Sequence, residues 1–478
     1  MKERIIAGIV YLVLFSQLQA IGQTGNERRL TLKQCVDAAI NNNLQVRQGD
    51  LQMQTSAVSL KQAKSNVLPD LFGNLGHGFN QGRSIDPFTN SYINQQILFA
   101  SYSLGSSVVL FNGFQLKNLI KQNSLSYEAN KMDLQQIKDN VTLNVILAYV
   151  QILNNEEQFQ QSLISAEVTR KQVQRLTVMH DAGAIPPAQL YDLRGQLATD
   201  ELTIVNNRNV LNAARLSLAQ LMNVPFASSL AVERVSVDSL ALQYNTDPKA
   251  LYEASVRQLA IVKAAELRTQ SATKGVQVAK GIAYPTVGLN GSFNTNYSNA
   301  ATRDIFVNSQ EIASGDYVSV GGSKVPVITT RPTFTSQKIG YGDQFNNNYN
   351  TSLFLSIQVP ILNRSRAKNR IALAKIDLKN AQVVAETVKT QLSQNIEEAY
   401  FNMTAASEKY QVLQRQVDDF SESYRTAEVR FNAGAINQID YLIAKNNVDR
   451  ARANSISTRY DYIFRLKILD YYQGRLSL

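Results

Sequence analysis

The sequence predicts a mainly helical chain with a smaller β component. Long antiparallel coiled-coil helices are joined to strands that belong in a closed transmembrane sheet, four strands per chain. Three observations carry this. One order of elements, helix–strand–strand–long helix–return helix, occurs twice along the 478 residues. A heptad seam runs from Ile371 to Phe431. The strands of the second copy alternate apolar and small polar residues, the pattern of a wall between lipid and water.

The N-terminus comes first. Lys2 and Arg4 precede an apolar run from Ile5 to Phe15, and the small residues Ala20 and Gly22 follow. This is the form of a secretory signal peptide over residues 1–22, cleaved after Ala20 or Gly22. No later run of about 18 apolar residues occurs, so a mature chain that spans a membrane must do so with strands. The single cysteine, Cys35, forms no intrachain disulfide and sits inside a predicted helix, which argues against a lipid-anchored N-terminus. The net charge of +10 comes from Lys and Arg scattered along helices, so no nucleic-acid partner is expected.

The repeat is read from offsets. Ala182-Gly-Ala-Ile185 returns as Ala433-Gly-Ala-Ile436, and Ala148-Tyr149 returns as Ala399-Tyr400, both 251 residues on. Pro69 aligns with Pro285 at an offset of 216. The difference of 35 places extra residues between the strands of the second copy. The predicted organisation is a first repeat at 23–224, a linker at 225–246 and a second repeat at 247–473. Each opens with a helix. Thr31-Leu-Lys-Gln34 is a capping box, and Asp247-Pro248 offers an N-cap followed by Pro at the first helical position. These helices run to about residues 66 and 281, where Pro69 and Pro285 stop them.

Strands follow at about 68–80 and 101–111, and at about 285–298 and 350–360, the second pair separated by an outer loop at about 299–349. Val287, Leu289, Phe293 and Tyr297 point one way, with Asn290, Ser292, Asn294 and Asn296 opposite. Leu353, Leu355, Ile357 and Val359 repeat this against Ser352, Ser356 and Gln358. A half-buried strand of a soluble sheet has the same period. The stretch from Tyr102 to Phe111 leaves open which face is apolar. In lipid a sheet must close on itself, and four strands cannot, since barrels begin at about eight. A membrane reading therefore demands partner chains: two giving eight strands, or three giving twelve.

Long helices are predicted at about 115–181 and 366–432, with return helices at about 187–223 and 437–471. In the second, Ile371, Ala374, Leu378, Ala381, Ala385 and Val388 begin a seam that steps by three and four, with one stutter at Leu392–Ile396. Such a helix is about 100 Å long at ~1.5 Å per residue. The copy-one seam is interrupted by polar residues, among them Asn123, Asn130, Asn155 and His180. Arg430-Phe-Asn-Ala-Gly-Ala-Ile436 ends the long helix with a glycine suited to a left-handed cap.

With the duplication, the opening helix Thr31-Leu-Lys-Gln…Ala-Ala-Ile-Asn-Asn-Asn43, the Leu-Phe-Asn-Gly113 strand-to-helix turn, and the Arg-Phe-x-Ala-Gly-Ala tip followed by Asp440 and Leu-x-Ala-Lys445, the chain resembles the TolC family of outer-membrane efflux channels. The resemblance implies a homotrimer with a twelve-stranded β-barrel in outer-membrane lipid and an α-barrel in the periplasm. It implies a passive duct for small molecules or polypeptide, joined to a periplasmic adaptor and an inner-membrane pump of RND or ABC type. Ala182, Gly183, Ala184 and Ile185, with Phe431, Ala433, Gly434, Ala435 and Ile436, become the adaptor-contacting tips. Asp440, Asp192 and Gln189 become candidates for a periplasmic constriction; Ile443 stands where the family often has a second aspartate. Asp440 also reads as a first-turn acid complementing a helix dipole. His77 and His180 read as structural rather than metal ligands. No cofactor or metal site is expected, and no catalytic motif points to an enzyme. The rival reading is a structural, non-conducting coiled-coil protein of the envelope.

Overall fold

A computed structural model describes residues 29–85, 90–94, 96–226, 230–234 and 247–475. The signal peptide read at 1–22 and most of the linker read at 225–246 lie outside them. The chain divides into two compact units: one of Met1–Ser56, Ser126–Thr269 and Ala381–Leu478, the other of Ala57–Leu125 and Gln270–Asn380. Each unit draws on both sequence repeats.

The helical elements are α1 (Leu32–Asn42), α2 (Leu44–Ser65), α3 (Gln115–Asp181), α4 (Pro187–Leu221), α5 (Pro248–Gln258), α6 (Ala260–Gly281), α7 (Tyr341–Asn347), α8 (Arg366–Asn432) and α9 (Gln438–Tyr472). The long helices α3 and α8 are each 67 residues, and the return helices α4 and α9 each 35. The Thr31–Gln34 capping box forms in both directions, at 3.1 and 3.2 Å. The single opening helix expected in each repeat is instead two. Asn43 turns extended, and its side-chain oxygen accepts from the backbone N–H of Gln45 and Val46 at 2.8 and 3.2 Å, capping a new helix. Leu259 makes the matching break in the second repeat, held by burial rather than by a cap.

In the first unit, Cys35, Val36, Val145, Tyr149, Ile152 and Leu218 belong to one core, and Leu251, Val262, Leu392, Ile396 and Leu469 to another. Each such side chain contributes about 1.5–3 kcal/mol by leaving water. The described part of the inter-repeat segment is docked rather than loose. Leu30 and Val232 form a parallel bridge, and the buried Tyr149 hydroxyl lies 2.6 Å from the Glu233 carbonyl. Along α8 every predicted seam residue from Ile371 to Phe431 is buried or half-buried, while Val383, Val412 and Val429 off the seam are exposed.

The second unit holds a four-stranded antiparallel sheet, β1 (Phe72–Asn80), β4 (Ile97–Asn112), β5 (Thr286–Ser298) and β8 (Asn350–Gln358), in that spatial order. Register assigns the faces. Tyr102 pairs with Leu75 and Thr295, Leu104 with Phe293, and Val108 with Leu289, which in turn pairs with Leu355. Tyr102, Leu104 and Val108 therefore join the apolar face. A bulge at Leu110 brings Phe111 onto the same face opposite Val287. That slip is why the alternation of this strand cannot be followed by sequence alone. The other face carries Ser101, Ser103, Asn290, Ser292, Asn294, Ser352 and Ser356. Leu75, Leu353, Leu355 and Ile357 are 57–82% exposed, so the apolar face is uncovered over these residues.

The outer loop expected at 299–349 is corrected. It contains the long hairpin β6 (Thr302–Val320) and β7 (Ser323–Lys338), followed by α7. Thr, Val and Ile at regular intervals give it strand propensity, but pairing with its own return strand is a tertiary fact. A short pair, β2 (Arg83–Ile85) and β3 (Tyr92–Asn94), occupies the matching place in the first repeat.

Candidate functional site

Two helix-to-helix turns lie in the first unit, and both close the same way. Gly183 and Gly434 adopt φ of +69° and +74°. The Gly183 N–H donates to the His180 carbonyl and the Ala184 N–H to Met179, both at 2.8 Å; Gly434 and Ala435 repeat this with Phe431 and Arg430 at 3.0 and 2.8 Å. This 6→1, 5→2 pair is the Schellman motif, which needs a left-handed residue and so favours glycine. No atom within 4 Å would meet a Cβ at either position, so the glycines serve the backbone and not a close contact. Ala182, Ala184, Ala433 and Ala435 are exposed, while Ile185 and Ile436 are half-buried.

The second turn leans on copy-one helices. Phe431 packs against a cluster of Leu176, Leu190 and Leu193 and stacks on the buried Tyr441 ring at 4.7 Å. Arg175 of α3 donates to the Asn432 carbonyl at 2.9 Å and to its side-chain oxygen. Ile185 joins the same cluster, so the two turns share one apolar footing. Burial and the neighbouring Glu428 push the Tyr424 phenol, bonded to Tyr441, far above its ordinary pKa. This pair remains neutral at any physiological pH.

The starts of the return helices differ. Asn437 caps α9, its side-chain oxygen accepting from the Asp440 N–H at 2.9 Å. Asp440 is thereby an exposed first-turn acid. Its copy-one counterpart begins at Pro186-Pro187 without a side-chain cap. Gln189 is half-buried and Asp192 exposed. Among the described residues, no hydrogen bond or ion pair joins Asp440, Asp192 and Gln189 to one another.

The sequence reading missed a buried ionic cluster further along the same helices. Lys445 of α9, 2% exposed, donates to Asp449 at 2.7 Å, to Asp200 of α4 at 3.1 Å and to the Ser165 hydroxyl of α3 at 2.7 Å. Ser165 donates to Asp449 at 2.6 Å, and Thr169 and Gln196 donate to Asp200 at 2.5 and 2.8 Å. Every carboxylate therefore has partners, which a buried charge requires. A polar cleft of about 300 Å³, lined by Gln158, Ser162, Gln196, Thr199 and Arg450, opens beside it. The signal was available: Tyr441, Lys445 and Val448 lie on one buried stripe of α9, and Leu193 and Asp200 on one of α4.

Comparison with known proteins places these features. The model of the outer membrane efflux protein family matches residues 35–224 and 251–469. Outer membrane protein TolC of Salmonella enteritidis is 21% identical over 455 residues, covering 93% of this chain and 82% of that protein. Among solved structures, CusC is similar with a TM-score of 0.74 at 16% identity, covering 95% of each chain. The open state of the Neisseria gonorrhoeae MtrE outer membrane channel gives 0.71 at 16% identity, covering 93% of this chain and 88% of that one.

Proposed function

This chain belongs to the outer membrane efflux protein family, and we propose that three copies of it assemble into the passive exit duct of a tripartite efflux or secretion system. The observation that carries the reading is the four-stranded sheet. The outer edges of β1 and β8 pair with no strand among the described residues, and one face is apolar and largely exposed while the other is small and polar. In hydrocarbon an unpaired strand edge leaves polar groups without partners, each costing several kcal/mol. Joining β8 of one copy to β1 of the next removes both edges, and three copies give twelve strands. The apolar face then meets lipid and the polar face lines a wet lumen.

In this assembly the helical hairpins stand in the periplasm. The exposed Ala182–Ile185 and Ala433–Ile436 turns, with Phe431 beneath the second, would meet a periplasmic adaptor protein. That adaptor would connect the duct to an inner-membrane pump of RND or ABC type. Threefold symmetry would bring three copies of Asp440 toward one constriction, with Asp192 and Gln189 nearby. Like carboxylates in a narrow pore attract cations. A lumen of Asn, Ser and Gln offers no machinery for chemistry or strong recognition, so we read the chain as a conduit rather than an enzyme.

Single-channel recording in planar bilayers tests this. The purified trimer should conduct with a cation preference that Asp440→Ala weakens. A trimer that never conducts, in wild type or Asp440→Ala, overturns the duct. Conductance with unchanged selectivity in Asp440→Ala would leave the duct standing and return Asp440 to a first-turn acid complementing the helix dipole.

A further inference from the structure

The short helix α7 is not a passive part of the outer connection. We propose that α7 is an interfacial helix that lies in the headgroup boundary of the outer leaflet. This rests on the barrel reading above.

The argument begins with position. The long helices leave the sheet at its Val287 end, since β4 runs into α3 and β8 into α8, so the Ser298 end is exterior. Val287 to Tyr297 rises about 33 Å along the strand at ~3.3 Å per residue. A tilt of about 40° reduces this to about 25 Å, the height of an outer-membrane apolar band. The top of that band, and only the top, is covered by α7. The carbonyl of Phe345 accepts from the Thr295 hydroxyl at 2.9 Å. The Gln344 side chain, 1% exposed, accepts from the Ser298 N–H at 2.9 Å and donates to the Ser298 carbonyl at 2.8 Å. Asn348 donates to the Asn296 carbonyl at 2.9 Å. These bonds fasten the helix to the exterior end of β5, and Ala100 and Thr295 of the apolar face there are 1% and 3% exposed.

Tyr341 and Phe345 of α7, with Tyr349 just beyond its end, flank Gln344, and their rings stay 42–60% exposed at the margin of the sheet. Each ring is seated on an aromatic of the sheet. Tyr341 packs on Tyr297 at 4.6 Å and bonds the Tyr102 hydroxyl; Phe345 meets Tyr102 edge-on at 5.8 Å; Tyr349 stacks on Phe293 at 6.1 Å. Tyr341 and Tyr349, with an apolar body and a polar tip, suit the level where hydrocarbon gives way to water. A neighbouring copy is the weaker occupant, because the rings of Tyr341, Phe345 and Tyr349 rest on Tyr102 of β4 and on Phe293 and Tyr297 of β5, the two inner strands. The outer face of β5 below α7 continues directly into the lipid-facing band.

The chain has no tryptophan, so a single introduced Trp is an unambiguous probe. Phe345→Trp, Tyr349→Trp, Leu355→Trp and Tyr317→Trp variants would be reconstituted as trimers in phosphatidylcholine vesicles carrying spin labels at shallow or deep acyl positions, with iodide as the aqueous quencher. The expected result is loss of Phe345→Trp and Tyr349→Trp emission to the shallow label, of Leu355→Trp to the deep label, and of Tyr317→Trp to iodide alone. Leu355→Trp quenched by lipid while Phe345→Trp and Tyr349→Trp respond only to iodide, or to nothing, would overturn the interfacial helix and leave the barrel. Leu355→Trp untouched by either lipid label would overturn both.

Discussion

Lys445 shows what a single buried charge commits the chain to. Its ammonium group holds Asp200, Asp449 and Ser165 together across three helices, one of them from the second repeat and two from the first. Removing it leaves two carboxylates at one locus without the cation that joins them. Lys445→Ala should lower stability by about 3–5 kcal/mol, as loss of one partner of a buried pair does. The check is the denaturant midpoint of the helical circular-dichroism signal. Arg425→Ala, which breaks only the exposed pair with Glu422, should leave that midpoint in place. Cys35 is the other buried reactive group. Burial alone pushes its thiol up to about 11, so it stays protonated and inert in the folded protein.

At the scale of elements, the β6–β7 hairpin stands apart from the sheet that carries it. Among the described residues the two strands pair only with each other, and their residues are almost all exposed. The Ile339 N–H bonds the Ala301 carbonyl at 3.0 Å and closes the hairpin at its base, below which Gln344 fastens α7 to β5. The hairpin is therefore independent of the register of β5 and β8. Replacing residues 303–337 by a short Gly-Ser turn should leave heat-modifiable trimer and conductance unchanged, as gels and planar bilayers would measure. The strand-to-helix turn is the opposite case. Gly113, at φ +64°, lies so close to the Gly281 carbonyl that a Cβ would sit 2.5 Å from it, which ties β4 to the end of α6.

At the scale of the whole molecule, the two faces of one sheet impose different rules on the same substitution. Leu355 is on the apolar face and Asn290 on the polar one. Leu355→Lys near the bilayer midplane should cost about 2–4 kcal/mol and reduce folding into vesicles. Asn290→Lys should fold normally, because water reaches it, and shift conductance toward anions. Equal folding of the two variants, read as gel-shifted protein after reconstitution, would count against a lipid-exposed outer face.

Much of this is legible in the sequence. The seam of α8, the capping box at Thr31, the glycine-closed tips and the alternation of β5 and β8 are local patterns, and local sterics and periodicity suffice to produce them. The face of β4 was not legible, because a bulge at Leu110 breaks its period and only pairing with β5 shows where the alternation resumes. The hairpin and α7 within the supposed loop were hidden in a polar, turn-rich composition whose strand pairing is decided by a distant partner. Lys445 could be placed on a buried stripe but not given its role, since its partners come from α3 and α4, more than 240 residues away. Sequence by itself carried the order of elements, the coiled-coil seam and the alternation from which closure by other chains is proposed. Tertiary structure decided register, the covered end of the lipid face and the pairing of buried charges, because each depends on which distant residues meet.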